Sequence, residues 1–411
     1  MANPDTGARA TPPRGRGARI LARFLAYQFA CWATLAIVAQ GLFAGAWAAV
    51  ILFAAYATVP LLLFVRWRGW PFYPGAAFRL FVVRVVLYAQ LLLPFASGAA
   101  IIGMLVGWPL GMPLAVGRAL TAAVIAAGGL LLLVGYFGSR RLVVREVEAS
   151  VPRLPREFDG LRIAQISDLH VGPQTSRRFL AEVARTVAAM QADVVAVTGD
   201  VVDDRAEDVP WYAAAFAGLA APLGVFLIPG NHDIYAGWEA VSLGLQQNTD
   251  ATILVNDARV VERGGARLAI IGTGDPAAGI RQNKSAMRAG TAAPDVDRAL
   301  SLVPPDTTVV AFAHNPALWP GLAARGVALT LSGHTHWGQF ALPRLGWSLA
   351  SPFLEHAMGA HRDGDALLYI NPGTGYWGIP FRLGALPEIT LVTLRRADHA
   401  GMSVGTARRA A

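Results

Sequence analysis

The chain has 411 residues, 54% of them hydrophobic and 15% charged, which is room for two domains and too apolar for an ordinary soluble enzyme. The net charge of +8 is unevenly placed: residues 1–145 hold thirteen Arg and one acid, and the remainder holds 22 bases against 26 acids, so no nucleic-acid partner is expected. A single cysteine, Cys31, excludes an intrachain disulfide framework.

From Phe24 to Val65 there is no charged residue, a run of 42. A helix crossing a bilayer needs about 20 residues, so this run is two spans with a turn near Gly41–Gly45. Further uncharged runs cover Val85–Gly117, broken by the turn-rich Gly107–Pro113, and Ala119–Ser139. The expected spans are 20–39, 44–65, 80–106 and 115–138. A secretory signal is excluded, because its apolar region would be only about 7–15 residues. Arginines at 9, 14, 16, 19, 23, 66, 68, 79, 84, 140, 141 and 145 fall on one side of these spans, with only Arg118 on the other. The positive-inside rule then puts both ends and the C-terminal domain in the cytoplasm, as an integral, multi-pass protein of the inner or plasma membrane. Trp67, Trp70, Phe72, Tyr73 and Trp108 read as interfacial aromatics. The spans contain no Asp, Glu or Lys, which favours an anchor over an ion pathway.

Beyond Arg162 the pattern changes to short β-branched runs alternating with helical spacing. Strands are expected at 162–167, 193–198, 225–228, 253–256, 259–263, 267–272, 308–313, 327–332, 366–370 and 388–394, and helices at 176–190, 209–221 and 236–246. This alternation argues an α/β domain. Overall the chain reads as a basic tail (1–19), four transmembrane helices (20–139), a linker (140–157), a catalytic domain (158–396) and a disordered tail (397–411).

Polar residues cluster where the strands end. Asp168-Leu169-His170 follows the first, Gly199-Asp200 the second and Gly230-Asn231-His232-Asp233 the third; His314-Asn315 and Gly333-His334-Thr335-His336 follow two later ones. Ligands of open α/β sheets bind beyond the carboxyl ends of strands, so five strand ends deliver metal-type side chains to one rim. Each motif alone is weak; an Asp-x-His is more often a surface pair than a ligand. Their joint order is far more specific. Asp203 and Asp204 read either as groups that support the ligands or as plain loop acids, the loop reading being favoured, and His356, His361 and His399 read as surface residues. Trp337, Tyr376 and Trp377 are candidates for a substrate groove, with packing as the equal alternative.

Together these motifs resemble the full set of the calcineurin-like metallophosphoesterases, over about 158–396. Ile166–His170 and Gly333-His334-Thr335-His336-Trp337-Gly338-Gln339 are most similar to its membrane-associated YkuE-like branch. Two departures are Trp337, where a glycine is expected, and the turn Asn371-Pro372-Gly373. The resemblance implies a four-layer αββα sandwich with two mixed sheets. It also implies two divalent metal ions: one on Asp168, His170 and His336, the other on Asn231, His314 and His334, with Asp200 bridging. N/O ligation without thiolate suits Mn, Fe or Zn. His232 is then the candidate general acid, oriented by Asp233 unless Asp233 caps the following helix. The implied function is a membrane-anchored phosphoesterase cleaving phosphodiester, phosphomonoester or pyrophosphate bonds, with the lipid bilayer as partner and a lipid-linked substrate as one candidate. The competing reading, a non-catalytic metal-stabilised membrane scaffold or sensor, would be favoured by a degraded site, and every ligand position is filled.

Overall fold

The computed structural model describes residues 16–66, 76–279 and 292–410. Arg9, Arg14, Trp67, Arg68, Trp70, Phe72 and Tyr73 therefore lie outside the described residues. The chain divides into two compact units, Met1–Leu132 and Leu133–Ala411.

In the first unit, helices α1 (Arg16–Ala39), α2 (Ala46–Arg66), α3 (Arg84–Gly107, entered through a π turn at Arg79–Val83) and α4 (Pro113–Gly138) occupy the four expected spans. All four stretches are long and apolar enough to cross a bilayer. Polar and small residues make the close contacts between these apolar helices, the pattern expected of helices that pack without an aqueous surround. The buried Gln28 of α1 meets Gln90 of α3 at 2.7 Å and accepts from Thr58 of α2 at 3.1 Å, and Gln90 also donates to the Ala57 carbonyl at 3.1 Å. Gly103 of α3 lies so close to the backbone of Val116 and Gly117 in α4 that a Cβ there would collide.

The second unit takes the last turns of α4 and two mixed sheets. Strands β1 (Val143–Pro152), β2 (Arg162–Ile166), β3 (Val194–Val197), β4 (Val225–Leu227) and β5 (Thr252–Ile253) belong to the first sheet. Helices α5 (Arg177–Ala189), α6 (Val209–Phe216) and α7 (Asn231–Asn248) connect its parallel strands. The second sheet contains β6 (Asp257–Arg263), β7 (Ala266–Gly272), β8 (Thr308–Phe312) and β9 (Leu329–Ser332). After a small ribbon of β10 (Ala341–Leu342) and β11 (Trp347–Ser348), β12 (Gly359–Asp363) and β13 (Ala366–Ile370) complete it. Finally β14 (Glu388–Ala397), β15 (Gly401–Val404) and β16 (Arg408–Arg409) return to the first sheet. The orders are β15-β1-β14-β2-β3-β4-β5, with β16 also on β1, and β12-β13-β9-β8-β7-β6.

Strand side chains alternate between faces, and the core follows that period. Ile163, Val194, Ala196 and Phe226 of the first sheet share a core with Leu268, Ile270, Val310, Phe312 and Leu331 of the second. Their neighbours Ala164, Val195, Val197 and Leu227 pack instead beneath helices α5, α6 and α7. A further cluster covers the outer face of β7 and β8. The result is the expected four-layer α/β sandwich with two mixed sheets.

Two stretches differ from expectation. The presumed linker contains β1, which runs parallel to β14 over ten residue pairs, Val143↔Glu388 through Pro152↔Ala397. The presumed disordered tail contains β15 and β16, both antiparallel to β1. In β1, Val147, Ala149 and Val151 point inward between exposed or half-exposed neighbours. Long-range pairing, not local composition, makes them strands. Asn231 rather than residue 236 begins α7, which kinks at Gly237 (φ 101°).

Arg145, counted in the sequence as a topology signal, also has a structural partner. Its Nε lies 2.6 Å from Glu388 Oε2, while Tyr369 Oη and Thr390 Oγ1 donate to Glu388 Oε1 at 2.6 and 2.8 Å. Glu388 is 1% exposed. Replacing Arg145 with Met leaves that carboxylate buried without its cation and is expected to destabilise the second unit by about 3 kcal/mol. Tyr369→Phe should cost only about 1 kcal/mol. Denaturant unfolding of the full chain in detergent would compare them, and equal small effects would show that the pair is not structurally important.

Candidate metal centre

Three of the five strand ends, those of β2, β3 and β9, leave ordinary backbone space at their site residues. Asp168 (φ 52°), His170 (φ 46°), Asp200 (φ 52°), His334 (φ 69°) and His336 (φ 49°) are all left-handed. Such conformations cost of order 1–3 kcal/mol each outside glycine and concentrate at functional sites. The glycines between them provide space. A Cβ on Gly333 would strike Ser167 Oγ and Asp168 Oδ2, and one on Gly230 would strike Asp200.

The seven residues expected as ligands come together in two nests. Asp168, His170 and His336 form one, with His170 Nε2 to His336 Nε2 at 3.0 Å and His336 Nε2 to Asp168 Oδ1 at 3.3 Å. In the other, Asn231 Oδ1 lies 3.2 Å from His314 Nε2 and 2.7 Å from His334 Nδ1. Asp200 touches both: its Oδ2 is 3.6 Å from His170 Nε2 and 3.2 Å from His314 Nε2. Among the described residues, Asp168, Asp200 and Asp203 form ion pairs only with imidazoles.

The electrostatics fit a site for cations. Burial, reinforced by the Asp200 charge, pushes Asp168 up to about 6. Burial also raises Asp200, but His314 outweighs it and holds Asp200 well below the usual carboxylate range. His170 and His336 are held well below the usual imidazole range by burial, and His334 is brought down to about 4 by burial and His314. His314 is the exception: burial works against its charge, but Asp200 outweighs burial and holds it well above the usual imidazole range, so it gives up a proton on ligating. Imidazoles and buried oxygens converging without thiolate are the donor set of a Mn, Fe or Zn site.

His232 stands beside the nests. Its ring packs edge-on to His170 at 4.7 Å, and its amide donates to Asp200 Oδ1 at 2.8 Å. The expectation that Asp233 orients it is not met. Asp233 Oδ2 accepts from the Gly230 amide at 2.9 Å and its Oδ1 from the Val202 amide at 3.1 Å, closing the start of α7. A carboxylate three residues into a helix satisfies otherwise orphaned amides there, and that geometry turns Asp233 away from the imidazole. The ring is held instead by Asp203, whose carbonyl is 2.7 Å and carboxylate 3.4 Å from His232 Nδ1. Asp203 also reaches His170 Nδ1 at 3.2 Å, and Asp204 lies 3.6 Å from His232 Nδ1. Of the two readings open for these acids, the supporting role is the one the geometry favours over the plain loop; their spacing, three and four residues beyond Asp200, is the sequence signal for it.

Arg382 was missed altogether. It is fully buried, with Nη2 at 2.8 Å from His336 Nδ1 and Nη1 donating to the His336 carbonyl at 3.1 Å. A lone charge in the apolar run Pro380–Pro387 was its signal. Asp275 was missed too; it is buried, and Thr273-Gly274-Asp275 ends β7 as Thr198-Gly199-Asp200 ends β3. Trp337 is core, not groove: it is 3% exposed and its indole donates to the Ile370 carbonyl at 3.0 Å. Its φ of 50° accounts for the expectation of glycine there. Trp377 is exposed and its ring lies 6.0 Å from His232. Asn315 caps a short turn by accepting from the Ala317 amide at 3.0 Å. His356 and His361 are half-buried rather than free surface residues: His356 packs edge-on to Trp319 and His361 lies tilted against it.

The fold and this constellation define a calcineurin-like phosphoesterase, and the profile of that family matches residues 161–338. The chain belongs to that family. An uncharacterized metallophosphoesterase of Helicobacter pylori (strain J99) is 33% identical, over 66% of this chain and 71% of its own length. A transmembrane protein with metallophosphoesterase domain from Bos taurus is 31% identical, over 62% of this chain and 57% of that protein. The uncharacterized metallophosphoesterase YkuE of Bacillus subtilis is 28% identical, over 68% and 95%.

Gly333→Ala should displace Asp168, costing about 1–3 kcal/mol by overpacking and lowering the Mn²⁺ bound per chain. Asp233→Ala should cost a similar amount, about 1–3 kcal/mol, through the two orphaned amides, yet leave metal content unchanged. Elemental analysis paired with denaturant unfolding separates the two; metal loss in Asp233→Ala would return that residue to the site.

Proposed function

We propose that the chain is a multi-pass membrane protein whose second unit hydrolyses phosphoesters with two divalent metal ions. The observation that carries this reading is the pair of three-donor nests sharing Asp200. Asp168, His170 and His336 would hold one ion, Asn231, His314 and His334 the other, and Asp200 both. Bound there, such a pair supplies water activation and charge neutralisation at the phosphoryl oxygens.

The chain's own residues do the rest. His232 is fixed at its amide by Asp200 and at Nδ1 by Asp203. Burial works against its charged form, but Asp204, Asp200 and Asp203 outweigh burial and push it up to about 9. It is thus an imidazolium able to give its Nε2 proton to the leaving-group oxygen. Asp203 is the positioning residue that Asp233 was expected to be. The substrate is a phosphodiester, phosphomonoester or pyrophosphate, and the spans support a lipid-linked one. Arginine placement supports a cytoplasmic catalytic unit.

Purified full chain with Mn²⁺ should cleave a chromogenic phosphodiester, lose activity to a chelator and regain it with Mn²⁺. Asp200→Asn should abolish turnover, whereas unchanged turnover would sink the mechanism. Because protonated His232 is the donor, activity should hold below its pKa and fall as pH rises through it. In His232→Ala, kcat should drop about 10²–10⁴-fold and that alkaline limb should vanish. A reporter active only in the periplasm, fused after Arg145, should stay silent.

A further inference from the structure

Ten large apolar side chains between Ser139 and Ala410 are exposed among the described residues, and five of them fall within thirteen positions: Leu342, Leu345, Leu349, Phe353 and Leu354. Leu345 is 75% and Phe353 80% exposed. The segment 340–354 contains one charge, the exposed Arg344, and no acid. Soluble surfaces seldom concentrate apolar groups this way; large leucines, an aromatic ring and a lone arginine are the chemistry of a bilayer interface.

The position of this segment points to the same partner. It is rooted by a short ladder in which the Ala341 amide donates to the Leu383 carbonyl at 2.9 Å and the Leu383 amide to the Gln339 carbonyl at 3.0 Å. One residue earlier, the Arg382 amide donates to the Gly135 carbonyl at 2.8 Å, in the last turns of α4, and the Phe381 ring lies against Gly135. Those turns carry Tyr136 and Phe137, and Arg140 follows two residues beyond the helix with its guanidinium 4.2 Å from the Tyr136 ring, an interfacial grouping at the end of an apolar helix. The apolar segment is therefore continuous, through three residues, with the place where α4 leaves the hydrocarbon. Arg382 also carries His336, so the same three residues join that place to the metal-binding loop.

We propose that residues 342–354 form a flap that inserts into the lipid interface, its Leu345 and Phe353 side chains among the acyl chains and Arg344 at the phosphate level. The flap holds the mouth of the site against the bilayer, so the phosphoester it serves is one presented at headgroup depth by a lipid. Only this last step rests on the phosphoesterase reading.

The test uses the full chain in phosphatidylcholine–phosphatidylglycerol liposomes, in a Cys31→Ser background. Single cysteines at Leu345→Cys, Phe353→Cys and, as a control on the β6–β7 hairpin, Glu262→Cys carry an environment-sensitive fluorophore. Lipids with a nitroxide near the headgroup should quench the probes at 345 and 353 and leave that at 262 bright. Equal quenching at all three positions, or none, would overturn insertion. A Leu345→Asp/Phe353→Asp chain should then lose about tenfold of its turnover on a phospholipid in the bilayer and keep its turnover on a soluble chromogenic diester. A parallel loss on both substrates would overturn the role in presentation. A parent chain inactive on both would count against the catalytic reading alone, with the quenching result standing on its own.

Discussion

Burying Asp200 at the meeting point of the sheets would cost several kcal/mol if its charge were not answered on every side. It is 1% exposed. Its Oδ1 takes the His232 amide and its Oδ2 faces His170 and His314, while its carbonyl accepts from the His170 amide at 3.0 Å. One residue thus sets the spacing of three strand ends. The conditions for this are local and severe. Gly199 must lack a Cβ because His314 Nδ1 and the Gly230 backbone occupy its place, and Asp200 must itself be left-handed. The two-sheet core outweighs the resulting strain, which is why the strained residues sit directly beyond fully buried strands rather than in free loops.

The four long apolar helices and the five strand-end motifs were legible because each is a local pattern. An uncharged run longer than a helix needs, or a glycine and a ligand directly after a β-branched run, carries its meaning within ten residues. What was not legible is what depends on partners far along the chain. The pairing of β1 with β14 joins residues more than two hundred positions apart, and the short alternation within Val143–Pro152 does not by itself say which strand it pairs with. Asp233 stays open in the sequence, between orienting His232 and capping the helix, for the same reason. Its neighbour in sequence is His232, but its neighbours in space are two backbone amides, and helix-start geometry decides between them.

Asp203 and Arg382 show the other side of this limit. Each acts through a histidine rather than on a bound ion. Asp203 bridges His170 and His232, so one carboxylate orients a candidate ligand and the candidate acid together. Arg382 places a fixed cation against His336 Nδ1; with burial, it keeps that imidazole out of its charged form. The same arginine is itself pushed down to about 9 by burial, a cost met by carbonyls of Pro372, Gly375 and Ala385 around its guanidinium. Outer groups of this kind set which protonation state a histidine adopts, and so decide whether it can ligate.

The boundaries of the phosphoesterase fold follow from these contacts. The matched profile ends at Gly338 and begins at Leu161, yet β1, β14, β15 and β16 make up half of the eight-stranded sheet. Arg145 on β1 neutralises Glu388 on β14 and lies 6.0 Å over the ring of Trp337, the residue next to His336. The Glu388 amide in turn donates to the carbonyl of Gly373, beside Arg382 and His336. A chain cut at residue 158 would lose the parallel partner of β14 and strand a buried carboxylate within a few residues of the metal loop. The strand that follows the last long apolar helix is therefore a working part of the site's support, and the unit that must fold together begins at the end of that helix rather than at the first motif.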